Sequence, residues 1–193
     1  MSGVEGVILA AGFSERAGQF KMTLPIGDRT ILEMCIEGMT SVCDRIIVVG
    51  GYNYDKIKEI VADIPNVEFC YNKNYAMGMF TSVKRGIREI KAERFFVIPG
   101  DQPLVQVETY QKMLAVDADI VIPRYKGKKG HPVLFRSHLI EEILAMPDEA
   151  ILRDFIHQKS AVCIDVDDKG ILLDVDNPED YKTVKEYFEK EAL

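Results

Sequence analysis

The sequence predicts an α/β fold of three layers, with a mostly parallel central sheet covered by helices on both faces. Two observations predict it. Short, β-branched apolar runs recur along the chain, and helical patterns of apolar residues separate them.

Taken in order, residues 4–10 form an apolar run that Ala11 and Gly12 break, which reads as a buried strand entering a loop. Helical spacing follows at 31–39, then a strand at 45–49, a helix at 54–62 and a strand at 67–70. The alternation continues with a helix at 79–90, a strand at 95–98, a helix at 108–115 and a strand at 119–122. The second half is less regular. Residues 132–135 and 161–165 read as strands with helical segments between them, and the last helix starts near Pro178. No repeat, low-complexity tract or linker-like shift interrupts the chain, so residues 1–193 read as a single domain, a length that suits one core.

Composition narrows the function classes. Apolar residues make up 47% and charged residues 28%, which excludes a disordered chain. A net charge of −7 argues against broad binding to nucleic acid or anionic membranes. No apolar stretch is long enough to span a bilayer, and no basic region leads into an apolar core at the N-terminus, so no signal peptide is expected. Cys35, Cys43, Cys70 and Cys163 have neither CxxC nor metal-finger spacing and are expected to be reduced. These features together point to the cytoplasm.

The loop after the first strand, residues 9–21, contains Gly12 and Gly18 together with Arg16 and Lys21. Glycines let backbone N–H groups approach a phosphate closely, and the two cations can add charge-assisted hydrogen bonds. GxGxxG and Walker spacings are both absent. The alternative is a surface turn with two solvated cations. Asp101 stands just past the strand at 95–98, where open α/β sheets place ligands; it can hold Mg²⁺ or cap the following helix. At 176–180, Asn177 as N-cap and Pro178 at the first helical position explain a helix start but leave Asp176 free. Gly78 and Ser82 bracket another helix start. The basic run 124–131 carries Lys128, Lys129 and His131, either as a solvated face or as an anion-binding loop.

Leu-Ala-Ala-Gly-x-Ser-x-Arg-x-Gly-x-x-Lys at 9–21 resembles the signature of the MobA-like nucleotidyltransferases, and the likeness extends along most of the chain. It is strongest toward the cytidylyltransferase branch that attaches CMP to molybdopterin, of which Gly-His-Pro-Val-Leu-Phe at 130–135 is a signature. The resemblance implies a Rossmann-like nucleotidyltransferase fold. It further implies that Leu9, Ala10, Ala11, Gly12, Ser14, Arg16, Gly18 and Lys21 form the triphosphate loop, with Arg16 and Lys21 as catalytic cations. Asp101, also catalytic, and Asp176 of the Asp-x-Asp-x-Pro-Glu-Asp run would bind Mg²⁺. Gly78 and Ser82 would lie against the nucleoside, and Lys128, Lys129, His131 and Asp148 would face the acceptor. The expected substrates are an NTP, CTP favoured, and a phosphorylated small molecule, molybdopterin favoured. A molybdenum hydroxylase is the implied recipient of the product.

Two departures stand out. Ala17 replaces the family's usual Met, a packing change. Residues 147–153 read Pro-Asp-Glu-Ala-Ile-Leu-Arg where the branch reads Gly-Asp-x-Gly-Ala-Arg, so a close backbone approach that needs glycine is absent there. A sugar- or alditol-phosphate nucleotidyltransferase and a non-catalytic maturation chaperone are the alternatives. A dinucleotide-dependent oxidoreductase is weakened by the missing GxGxxG.

Overall fold

Alternating strands and helices dominate the computed structural model, which describes residues 3–13 and 20–191. Along the chain, β1 (Val4–Ala10) precedes a small hairpin of β2 (Pro25–Ile26) and β3 (Arg29–Thr30), then α1 (Ile31–Thr40), β4 (Arg45–Gly50) and α2 (Tyr54–Val61). Next come β5 (Val67–Tyr71), α3 (Met79–Ile87), β6 (Arg94–Pro99), α4 (Val107–Leu114) and β7 (Ile120–Tyr125). The second half adds β8 (Lys128–Lys129), β9 (Val133–Arg136), α5 (Ile140–Ala145), α6 (Leu152–Gln158), β10 (Val162–Asp165) and α7 (Pro178–Glu191).

The main sheet runs β10-β7-β9-β6-β1-β4-β5, with β8 hydrogen-bonded to β7. β1 pairs in parallel with both β4 and β6, β4 with β5, and β7 with β10. β9 is antiparallel to its neighbours β6 and β7. The sheet is therefore mostly parallel, as expected.

Strand pleating separates two cores. Ile8, Val48, Phe96 and Ile98 face one side and pack with Leu32, Ile36 and Met39 of α1 and Tyr110 and Met113 of α4. Val7, Leu9, Val49, Phe95 and Val97 face the other, against Phe80, Val83 and Ile87 of α3, Ile143 of α5 and Phe155 of α6. Each fully buried Ile, Leu or Phe contributes about 1.5–3 kcal/mol of transfer free energy, so consecutive residues buried on opposite faces hold the central strands between two helical layers.

Helix termini follow the local chemistry. The Thr30 hydroxyl accepts from the Glu33 N–H at 3.2 Å, while the Glu33 carboxylate accepts from the Thr30 N–H at 2.7 Å, a capping box that starts α1. At α7 the Asn177 side chain accepts from the Asp180 N–H at 2.9 Å, and the Asp180 carboxylate accepts from the Asn177 N–H at 3.1 Å. The expected N-cap is thus present.

Differences from expectation are local. α3 ends at Ile87 rather than residue 90, because the next N–H groups close tighter i→i+3 bonds from Glu89 to Gly86 and from Ile90 to Ile87. The β2–β3 hairpin and β8 were not expected: a two-residue strand is too short to display alternation. All four cysteines are free thiols, and burial pushes Cys43 up to about 12 and Cys70 up to about 11. Among the described residues, no helix is long and apolar enough to cross a membrane.

Candidate active site

A cleft of about 710 Å³ opens at the C-terminal ends of the central strands. Leu9 from the end of β1 lines it, as do Asp101 and Gln102 after β6, Gly78 at the start of α3, and Lys129, Gly130 and His131 before β9. Asp148 through Arg153 form a further wall, and Asp174 and Asp176, just before α7, line the cleft as well. The position agrees with the rule that open α/β sheets bind ligands beyond the carboxyl ends of their strands.

Three sequence-predicted residues meet directly. The Lys21 ammonium donates to Asp101 Oδ2 at 2.5 Å and to Asp176 Oδ1 at 3.1 Å. Lys21 opens a 3-10 turn, Lys21–Thr23, anchored by buried Met22. Asp176 arrives because the Val175 N–H donates to the Asp101 carbonyl at 3.1 Å, which lays residues 173–176 beside the end of β6. The side chains of Lys21 and Asp101 are each 13% exposed and that of Asp176 is 54% exposed. Burial alone would pull the Lys21 ammonium down, but the Asp101 and Asp176 carboxylates outweigh it and hold it above its ordinary value. Asp174 is displaced upward by burial and by the charges of Asp101, Asp176 and Asp180. Two carboxylates thus share one ammonium, and Asp174 feels the charge of both. Asp101 Oδ1 is buried with no hydrogen-bond partner among the described residues.

On the expected nucleotide side, Ala10 and Ala11 are buried at the end of β1 while Gly12 is exposed, and a Cβ on Gly12 would meet nothing among the described residues. Ser14, Arg16 and Gly18 lie outside the described residues. Gly78 has φ of 118°, a conformation that favours glycine, and it turns the chain into α3. Ser82 is buried, and its hydroxyl accepts from Asn72 Nδ2 at 2.9 Å, as does the Thr81 hydroxyl. Ser82 therefore sits in a network that braces α3 and is not among the cleft-lining residues.

On the expected acceptor side, Lys129 and His131 line the cleft, whereas Lys128 is exposed and does not. Adjacent residues of a strand point to opposite faces, which separates the two lysines. The His131 N–H donates to the Ile171 carbonyl at 3.1 Å. A Cβ at Gly130 would stand 2.2 Å from the Ile171 oxygen, so only glycine allows this approach. Burial holds the His131 imidazole below its ordinary value, with Asp174 opposing and Arg153 reinforcing the shift. Asp148 also lines the cleft, but its Oδ1 accepts from Lys84 Nζ at 2.8 Å. Lys84 is buried and donates in addition to the Met146 carbonyl. It thereby ties α3 to the wall at 146–153.

Sequence reasoning missed Lys84, Asn72 and Gln102. A lysine in a helical pattern reads as solvated, and nothing in the sequence signals that Lys84 points inward. This wall presents Ile151, 59% exposed, and Leu152 to the cleft, which Met77 and Met79, 54% and 64% exposed, also line.

Comparison with known proteins identifies the family. The family model described as the MobA-like NTP transferase domain matches residues 6–162. The chain is 32% identical over 189 residues to the molybdenum cofactor cytidylyltransferase of Escherichia coli (strain K12), covering 97% of this chain and 98% of that protein. Among solved structures, Rv0371c from Mycobacterium tuberculosis H37Rv superposes with a TM-score of 0.84 at 24% identity, covering 96% of this chain and 98% of the other. The same protein in complex with manganese superposes with a TM-score of 0.77 at 23% identity, covering 96% and 99%. A strand-end cleft with two carboxylates around a lysine, a family match over most of the chain and a relative of nearly equal length lead to one assignment: this chain belongs to the MobA-like NTP transferase family and is a nucleotidyltransferase.

Proposed function

We propose that the protein is a Mg²⁺-dependent cytidylyltransferase of the cytoplasm. It transfers CMP from CTP to the phosphate of molybdopterin, releases pyrophosphate and delivers its product to a molybdenum hydroxylase. One observation carries the reading: Lys21, Asp101 and Asp176, distant in sequence, converge at a cleft that Lys129 and His131 also line.

The residues fit a magnesium ion. Mg²⁺ prefers hard oxygen donors and commonly takes one or two carboxylates, leaving its other positions to water and phosphate oxygens. Asp101 and Asp176 supply that pair, and the unpartnered Asp101 Oδ1 is an acceptor waiting for a cation. When bound, the metal would neutralise phosphate oxygens as a Lewis acid.

The chain's own residues account for the remaining chemistry. An acceptor phosphate oxygen attacks the α-phosphorus, a new P–O bond forms, and the bond to the β-phosphate breaks as pyrophosphate leaves. A phosphate monoester is already anionic, so no strong general base is required, and positioning and charge neutralisation lower the barrier. Lys21 stabilises charge growing at the α-phosphate, and Arg16 holds the departing pyrophosphate. Lys129 attracts the acceptor phosphate, and His131, whose imidazole is held below its ordinary value and so stays neutral near pH 7, serves as a hydrogen-bonding group. Manganese bound to Rv0371c supports a divalent metal in this fold.

The test is pyrophosphate release with CTP, GTP, ATP and UTP plus Mg²⁺, with and without molybdopterin. Release that needs both CTP and molybdopterin is expected. Asp101→Ala should abolish it while circular dichroism remains that of the wild type; near-normal turnover in that variant would remove the metal-site assignment. Residues 147–153 depart from the pattern of the molybdopterin-linked branch, which motivates a second reading, a sugar- or alditol-phosphate acceptor, and the same assay separates it by an acceptor screen.

A further inference from the structure

Gln102 follows Asp101 at the end of β6 and lines the cleft, yet it is only 6% exposed. Its backbone is satisfied locally, the N–H donating to the Pro99 carbonyl at 3.4 Å. The side chain is not: Oε1 is buried with no hydrogen-bond partner among the described residues. Most buried polar atoms in folded proteins are paired, and an exception calls for a reason. Packing is not that reason. Other lining positions of the cleft, Val97, Ile122 and Val133, are apolar, and an apolar side chain would serve at 102 without an amide to desolvate.

Asp101 offers a contrast, since the Mg²⁺ proposed above would account for its unpartnered oxygen. β6 lies between β1, which leads into the glycine-rich loop, and β9, which follows the Lys129–His131 segment. Asp101 is engaged toward the loop by Lys21. On the other side Val97 of β6 pairs antiparallel with Val133 of β9, so the end of β6 that leads to Gln102 runs toward the segment carrying His131 and Lys129, which line the same cleft.

We propose that Gln102 is an acceptor-binding residue whose side-chain amide pairs with a donor–acceptor edge of the acceptor's ring system. A primary amide presents a carbonyl acceptor beside N–H donors, which complements the lactam or amidine edge of a flat heterocycle. The amide then orients the acceptor's head while the cationic residues hold its phosphate. This inference rests on the acceptor reading given above, and it makes Gln102 a source of specificity: a ring without that edge leaves the buried amide unpaired and is rejected.

The prediction separates a binding role from a structural one. Replacing a structural hydrogen-bonding residue destabilises the fold, whereas replacing an unpaired one with an apolar residue of similar size does not. Gln102→Leu should therefore unfold at or above the wild-type Tm without ligand. Its KM for molybdopterin should rise about tenfold, equivalent to about 1.4 kcal/mol, while its KM for CTP stays within about twofold. Gln102→Met, unbranched, guards against a shape misfit of Leu. A Tm lowered by more than about 3 °C in both variants would overturn the inference, as would an unchanged KM for molybdopterin or a rise confined to CTP. If the wild-type protein shows no molybdopterin-dependent release, the acceptor reading fails instead. The ligand-free Tm then decides on Gln102 alone: a destabilised pair of variants overturns its binding role, and an undiminished Tm supports it.

Discussion

Replacing Lys21 with Met keeps the length of the side chain and removes the ammonium from between two carboxylates. At an effective dielectric of about 20, the 2.5 Å contact with Asp101 corresponds to roughly 6–7 kcal/mol of gross attraction. Desolvation of both groups cancels much of that, and breaking a buried ion pair costs about 3–5 kcal/mol in practice. The Asp176 contact adds under about 1 kcal/mol because that side chain is 54% exposed. The Met side chain recovers some apolar burial, so a loss of about 3 kcal/mol is expected, a Tm lowered by roughly 6–12 °C for a chain of this size. Two effects should accompany it. Turnover should fall by about 10²-fold or more, since a charge aimed at the reacting phosphate is gone. Mg²⁺ alone should raise the Tm of the variant more than that of the wild type, because the carboxylates no longer have an ammonium competing for them. Differential scanning fluorimetry across a Mg²⁺ titration, paired with pyrophosphate release, measures both. A variant with wild-type Tm and no Mg²⁺ response would refute the reasoning that these carboxylates form a cation site.

Other consequences follow from the wall and the loop around the cleft. Lys84→Met removes the bonds to Met146 and Asp148, so chemical denaturation should show a loss of about 1–3 kcal/mol, with KM for the acceptor rising more than KM for CTP. Gly130→Ala places a Cβ 2.2 Å from the Ile171 oxygen and should destabilise by about 2 kcal/mol or more, read as a shifted urea midpoint. Burial keeps His131 below its ordinary value of 6.5, so the unfolded chain takes up that proton first as pH falls. Its contribution to stability is therefore complete above pH 6.5 and declines as the pH drops from there toward the lower folded value; His131→Gln should flatten that acid limb in urea midpoints taken at about pH 5.5 and 7.5.

Much of the fold was legible along the chain. Buried strands and amphipathic helices impose periods that a one-dimensional reading detects, and Asn177 announces α7 through local capping chemistry. The glycine-rich loop and Asp101 just past the strand at 95–98 were likewise visible, since a motif is a local pattern. The short hairpin at β2–β3 escaped because two residues carry no period.

The sequence by itself determined the alternating α/β layers, the family and the residue types available for phosphate chemistry. Only the tertiary structure decided which of them meet. Lys21 lies 80 residues from Asp101 and 155 from Asp176, and the sheet order brings all three together. It also sent Ser82 into the Asn72 network, gave an oxygen of Asp148 to Lys84, turned Lys128 away from the cleft and left the buried Oε1 of the cleft-lining Gln102 without a partner among the described residues. The physical reason is common to each case: direction and desolvation depend on what packs alongside, and those neighbours come from remote parts of the chain.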